Sequence, residues 1–323
     1  MSCSRREFLA GMAGVAAVAA LPARVLAKAG RSSSPFQLAV ISDEITQDFG
    51  RALEIISQDF GFQWVEIRNL WNKSPMKLDA KELDEARKLL ERYHMRVIDI
   101  ASPLFKVDWP DAPPSKFSPK RDKFAPDVAF KQQDELLERC IEAARAFNTT
   151  GIRCFDFWRL DDPAPYRAAI DAKLLEAAEK AGKKGITLLL ENEFACNTAT
   201  SAESARVLNA VRSKHFKLVW DPGNAIKRGD KPYPDGYERL PKDRIGHVHC
   251  KDAKPTAKGD DYEWAAMGAG VIDWRGQFRA LKRDGYHHGV SLETHWRGAG
   301  TPEASTRQSM AGMKTLLKEV GAV

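Results

Sequence analysis

Eight short apolar runs, each followed by a segment with helical spacing of its apolar residues, dominate this chain. The runs are Phe36–Ser42, Gln63–Arg68, Arg96–Ala101, Gly151–Phe157, Gly185–Asn192, Phe216–Asp221, Arg244–Cys250 and Gly289–Glu293. Between them, Leu83, Ala86, Leu89, Leu90 and Tyr93 recur at helical spacing, as do Leu136, Leu137, Cys140, Ile141 and Ala144. Near the C-terminus Met310, Met313, Leu316, Leu317 and Val320 do the same. Strands alternating with helices pair in parallel. Eight such units predict one α/β domain, a single (β/α)8 TIM barrel over residues 30–323. An open doubly wound sheet would put a glycine-rich phosphate loop after its first strand, and none occurs there.

One long loop follows the third strand. From Pro103 to Asp127 it carries six prolines, with Phe105, Trp109, Phe117 and Phe124 interleaved. Because it leaves the C-terminal end of a strand, it is expected to form a lid over the mouth of the barrel, the alternatives being a surface excursion or a contact between copies in a homo-oligomer.

Residues 1–29 read as a removable leader. Ser4-Arg5-Arg6-Glu7-Phe8-Leu9 precedes the weakly apolar Ala10–Leu21, and small residues recur around Ala27 and Ala29. This is the pattern of a twin-arginine signal peptide and predicts a periplasmic protein. Four of the chain's 50 basic residues and one of its 44 acidic residues fall in this leader, so the remainder carries only +3 of the total +6. A near-neutral domain gives no electrostatic case for a nucleic-acid partner. No segment is long and apolar enough for a stable membrane anchor. Cys140, Cys154, Cys196 and Cys250 show no CxxC spacing and are expected as small buried residues.

In a parallel barrel the strands are buried on both sides, so a charged residue closing one needs a partner. Four consecutive strands close in that way. The fifth ends Leu190-Glu191-Asn192, the sixth Trp220-Asp221-Pro222-Gly223-Asn224, the seventh His247-Val248-His249-Cys250-Lys251-Asp252, and the eighth Leu292-Glu293-Thr294-His295. A single strand-end carboxylate caps a helix or joins a salt bridge. Glu191, Asp221, His249 and Glu293 on one rim would instead repel and raise one another's pKa unless a cation stood among them. His247 shares a face with His249 by the period of two and is expected one layer deeper, hydrogen-bonded in the core. Three carboxylates and an imidazole form a hard donor set suited to Mn²⁺ first, with Mg²⁺ or Co²⁺ as alternatives.

The strings SDEITQDF, VEIR, LLLEN, DPGN, HVHCKD, GAGVIDW and SLETHW, in this order over nearly the whole mature chain, resemble the xylose-isomerase-like TIM-barrel superfamily of sugar isomerases and epimerases. The resemblance implies one divalent ion held by Glu191, Asp221, His249 and Glu293, with Glu191 and Glu293 as the catalytic acid–base pair. It implies a small carbohydrate substrate and a metal-dependent isomerase or epimerase working through an enediolate, or a lyase or dehydratase on the same scaffold. The chain departs from sugar 3-epimerases in having Asn224 where they carry histidine and Pro255 where they carry arginine. Its H-x-K-D is similar instead to the inosose-dehydratase-like and uncharacterised sugar-isomerase branches. Substrate contacts are expected from Glu44, Arg68, Asn224, Lys251 and His295, with Trp71, Trp158, Arg159 and Trp296 as further mouth candidates. For Lys251, polarising a carbonyl, orienting Asp252 and forming a solvated ion pair all stay open. A three-zinc abasic-site endonuclease lacks enough strand-end histidines, and a two-lobed sugar-binding protein would need a hinge that the sequence does not show.

Overall fold

The computed structural model describes residues 34–118 and 128–323. Both the leader and the tip of the long loop lie outside these residues. In chain order the elements are β1 (Gln37–Val40), α1 (Phe49–Glu54), β2 (Trp64–Ile67), α2 (Ala80–Arg92), β3 (Arg96–Leu104), α3 (Gln133–Ala146), β4 (Gly151–Cys154) and α4 (Arg167–Gly182). They continue through β5 (Thr187–Glu191), α5 (Ser201–Ala210), β6 (Phe216–Trp220), α6 (Pro222–Ile226), α7 (Tyr237–Arg239), β7 (Ile245–Cys250), β8 (Asp252–Pro255), β9 (Tyr262–Ala265), α8 (Trp274–Arg283), β10 (Gly289–Leu292) and α9 (Pro302–Glu319).

Eight strands form one parallel sheet in the order β1-β10-β7-β6-β5-β4-β3-β2. The bridge between Ile41 and Glu66 joins its two ends, so the sheet curls into a barrel. Each of the eight strands predicted from apolar runs is present. The helices dock because their apolar stripes match the sheet: Ala86 and Leu90 of α2, Leu137 and Cys140 of α3, and Met313 and Leu317 of α9 are buried. Asp79 and Thr200 start α2 and α5 with reciprocal capping boxes, which fix where the chain turns from strand exit into helix.

Two features depart from the sequence reading. β3 runs three residues past Ala101, to Leu104, before the long loop begins. An antiparallel hairpin, β8–β9, stands outside the barrel after β7. The described part of the long loop is anchored by aromatic packing, with Trp109 edge-on to Phe157 and Phe130 at ring separations of 4.8 and 5.3 Å. Cys140, Cys154, Cys196 and Cys250 are all buried free thiols.

Candidate metal centre and active site

Glu191 is the last residue of β5, Asp221 follows β6, His249 is next to last in β7, and Glu293 follows β10. All four are at most 2% exposed. One ligand atom from each lies within 4.8 Å of the others. The atoms that converge are Glu191 Oε1, Asp221 Oδ2, Glu293 Oε2 and His249 Nδ1: the imidazole nitrogen is 3.4 Å from each glutamate oxygen and 4.0 Å from the aspartate oxygen. The expected quartet is therefore assembled at the C-terminal mouth of the barrel, where strand ends present side chains to the loops.

Local sequence explains how each member is held. Asn192 donates to the Asp221 carbonyl at 2.9 Å and accepts from the Asp221 amide at 2.7 Å, tying the ends of β5 and β6 together. Asp221 also caps α6: its Oδ1 accepts from the Asn224 amide, which leaves Oδ2 facing the centre. Pro222 supplies a helical φ at the first turn. A Cβ at Gly223 would come within 2.6 Å of Lys251 Cγ, so the glycine makes room for the lysine stem. In DPGN each residue thus has a separate task.

Of the three readings open for Lys251, the solvated ion pair and the orientation of Asp252 are both corrected by the structure. The lysine is 2% exposed, and its Nζ lies 2.6 Å from Glu293 Oε2, 2.7 Å from Asp221 Oδ2 and 3.9 Å from Glu191 Oε1. Asp252 is oriented instead by backbone amides of Ala253, Gly268, Gly270 and Ile272. This explains the downstream motif. A side chain at Gly270 would collide with the Asp252 carboxylate, and Asp273 caps α8 through the Gly276 amide. GAGVIDW is thus a structural clamp.

The other expected substrate contacts form an ion-pair wall beside Glu293. Arg68 donates to Glu44 at 2.6 Å, Asp43 at 3.1 Å and Glu293 at 3.3 Å. Glu44 also pairs with Arg297, and His295 Nε2 is 3.2 Å from Glu293 Oε1. Asn224 donates to Glu191 Oε1 and Asp221 Oδ2, both at 3.1 Å. Arg159 is engaged elsewhere, with Glu203, and Trp71 packs edge-on against Phe49. Trp296 is partly exposed beside Gly298.

Three buried charged residues inside strands complete the site and were not singled out from the sequence. Glu66 of β2 faces His249 Nε2 at 3.0 Å through Oε1 and 3.2 Å through Oε2. With the proton on Nε2 and donated to Glu66, Nδ1 is left with its lone pair toward the centre, the state an ion requires. Arg153 of β4 donates to Glu191 Oε2 at 3.0 Å and to the Ala101 carbonyl. Asp99 of β3 lies 3.0 Å from His247 Nδ1, while His247 Nε2 meets Ser291 Oγ at 2.8 Å. His247 accordingly lies one layer below His249, as strand alternation predicts. The signal for these residues was present: an ionisable group flanked on both sides by apolar strand residues.

The electrostatics favour a cation. Burial opposes the Glu191 charge, yet Arg153 and His249 hold its carboxyl down at about 2. Burial, with Glu191 and Glu293 adding to it, pushes Asp221 up to about 7 despite Lys251. Burial disfavours a charged His249, but Glu66, Glu191 and Glu293 hold its pKa well above the usual imidazole range. Every basic group brought to this point is drawn toward its charged form. Three carboxylate oxygens and one imidazole nitrogen in a buried cluster fit a hard divalent ion.

A cavity of about 400 Å³ opens above the quartet, lined among others by Arg153, Trp158, Phe194, Trp264, His295 and Phe117. Phe117 comes from the long loop and Trp264 from the β8–β9 hairpin. The Trp264 ring lies edge-on to His295 at 5.3 Å and 5.3 Å from Lys251 Nζ. Aromatic faces beside convergent polar groups are what a sugar-sized ligand needs.

Fold and site together define a parallel α/β barrel with a candidate metal centre at its mouth. The family described as xylose isomerase-like TIM barrel matches residues 56–316, and the chain belongs to that family. Inosose dehydratase of Lacticaseibacillus casei is 21% identical over 128 residues, covering 36% of this chain; the chain spans 42% of that relative's length. Among solved structures, the barrel is similar to the IOLI protein with a bound zinc atom, with a TM-score of 0.70 and 16% identity over 88% of this chain and 99% of that one. It is also similar to D-psicose 3-epimerase with D-tagatose from Clostridium cellulolyticum H10, with a TM-score of 0.65 and 15% identity over 88% and 99% of the two chains.

Proposed function

We propose that this protein is a divalent-metal-dependent isomerase or epimerase of a sugar or oxidised sugar derivative. The observation that carries this reading is the convergence of Glu191, Asp221, His249 and Glu293 within 4.8 Å, with Glu191 and Glu293 lining the mouth cavity. These residues would hold the ion, with Mn²⁺ favoured by the hard donor set and Mg²⁺, Co²⁺ or the zinc of one structural neighbour as alternatives. When bound, such an ion polarises adjacent carbonyl and hydroxyl oxygens of a sugar and acidifies the C–H between them.

The chain's own residues carry the proton. Glu191 and Glu293 approach from β5 and from the end of β10, with β6 and β7 between them. Glu191 removes the proton at one carbon and Glu293 returns one, through an enediolate, each step contributing roughly 10² to 10⁴ in rate. Arg153 and Glu66 position Glu191 and His249. Arg68 and His295 face substrate oxygens, with Glu44 holding Arg68 from behind, and Trp158 and Trp264 give apolar faces for C–H surfaces.

A second reading, elimination from the same enediolate, is favoured by one observation. The Lys251 ammonium lies 2.6 Å from Glu293, which lines the cavity, so it is placed to supply a proton through that carboxylate to a departing hydroxyl. The inosose dehydratase relative supports it too. One experiment separates the readings: incubate sugars and keto-sugars with the enzyme and Mn²⁺ in D₂O and analyse products by mass spectrometry. Deuterium wash-in with no loss of mass beyond exchange supports isomerisation, and loss of water supports elimination. No exchange with any ketose, aldose or keto-sugar contradicts both.

We further propose export to the periplasm by the twin-arginine route, on the strength of Arg5-Arg6 and the weakly apolar stretch behind them. Lysine at both positions would leave the protein in the cytoplasmic fraction; unchanged export would refute this.

A further inference from the structure

We propose that Asn224 is a fifth protein ligand of the ion, through its amide oxygen. The inference rests on the metal-centre reading above and deepens it. Asn224 is completely buried, and its backbone is fixed by the bond from its amide to Asp221 Oδ1 at 2.9 Å. Its terminal amide atom stands 3.1 Å from Glu191 Oε1 and 3.1 Å from Asp221 Oδ2. These are the same two oxygens that face His249 Nδ1 and Lys251 Nζ, so they belong to the inner surface of the cluster.

The spacing is the telling quantity. Around an ion with bonds of about 2.1 Å and right-angled geometry, neighbouring ligand atoms lie roughly 3 Å apart. The amide terminus thus occupies the vertex next to both Glu191 and Asp221. At its other end, Asn224 Oδ1 is buried and has no hydrogen-bond partner. The amide's orientation is set by the two carboxylates alone, which prefer its N–H groups. Half a turn about the last side-chain bond exchanges oxygen and nitrogen with almost no change in shape. A divalent cation beside the carboxylates reverses their preference and draws the oxygen inward. An amide oxygen at this position extends a hard donor set.

The test is titration of the metal-stripped full chain with Mn²⁺, reading both affinity and the water-proton relaxivity of the bound ion, which counts coordinated water. Asn224→Ala is expected to bind Mn²⁺ roughly tenfold or more weakly and to show relaxivity higher by about one water. Asn224→Asp, which keeps the oxygen, should retain the parental relaxivity. Unchanged affinity in Asn224→Ala, or weaker binding at unchanged relaxivity, overturns the assignment, because the amide then only steadies carboxylates through its N–H groups. If Asn224→Ala does not fold, raised relaxivity in Asn224→Asp overturns it and parental relaxivity upholds it. Failure of the parent chain to bind Mn²⁺ at all would instead overturn the metal centre itself.

Discussion

A charge in the interior of a parallel barrel survives only with a partner, and that makes each one informative. Glu191, Asp221, His249 and Glu293 were legible because they close their strands and recur on four strands in succession. Glu66, Asp99 and Arg153 sit mid-strand, as in Val65-Glu66-Ile67 and Ile152-Arg153-Cys154, where no pattern along the chain tells which distant group answers them. The partners of Glu66 and Arg153 are 183 and 38 residues away. If Glu191 removes the substrate proton, Glu191→Gln should lower solvent-deuterium exchange by at least about 10²-fold with an unchanged circular dichroism spectrum. Persistent exchange would reassign the base. Glu66→Gln leaves the quartet in place but removes the anion that fixes the His249 tautomer. It should weaken Mn²⁺ binding by about 10- to 100-fold in a calorimetric titration, with a smaller effect on folding.

At the scale of elements, alternation of apolar runs and helical stripes was enough to place all eight barrel strands, because each element must bury one face. The β8–β9 hairpin escaped: its burial is mixed, with Lys254, Pro255 and Glu263 exposed, so no apolar run announces it. The loop it precedes is held by Asp252, whose carboxylate accepts four backbone N–H groups. Asp252→Ala should therefore cost about 2–4 kcal/mol in denaturant unfolding, since several buried donors lose their acceptor at once. A change below about 0.5 kcal/mol would mean that the loop is held by other contacts. The exit of β4 carries a pH signature. Burial pushes Asp156 up to about 6 although Thr198 donates to it twice. The folded pKa lies above the unfolded value, so the fold binds the extra proton. Stability from this group is present below about pH 4 and is lost as pH rises through about 6, by up to about 3 kcal/mol. Asp156→Asn should remove that decline. A parent-minus-variant stability that stays flat from about pH 4 to about pH 7 would contradict it.

Across the whole molecule, closure of the sheet is what turns separate strand ends into a site. β5 and β10 are distant in sequence, yet the curled sheet brings Glu191 and Glu293 to one ion-sized space, and the long loop and the hairpin add Phe117 and Trp264 above it. Order of elements, and the depth of His247 relative to His249 on one strand, were readable from the chain; which residues of different strands share a level was not, since that depends on stagger between neighbouring strands. Asp99 and His247, brought together low in the barrel from β3 and β7, show the difference. No helix among the described residues is long and apolar enough to cross a membrane. The quartet is tested most directly by electron paramagnetic resonance titration of the chelator-treated chain with Mn²⁺, beside the double variant Asp221→Ala/Glu293→Ala. One tightly held ion per chain, absent from the folded double variant, is the expected result. No tight ion in the parent, or an equally tight one in the variant, would contradict it.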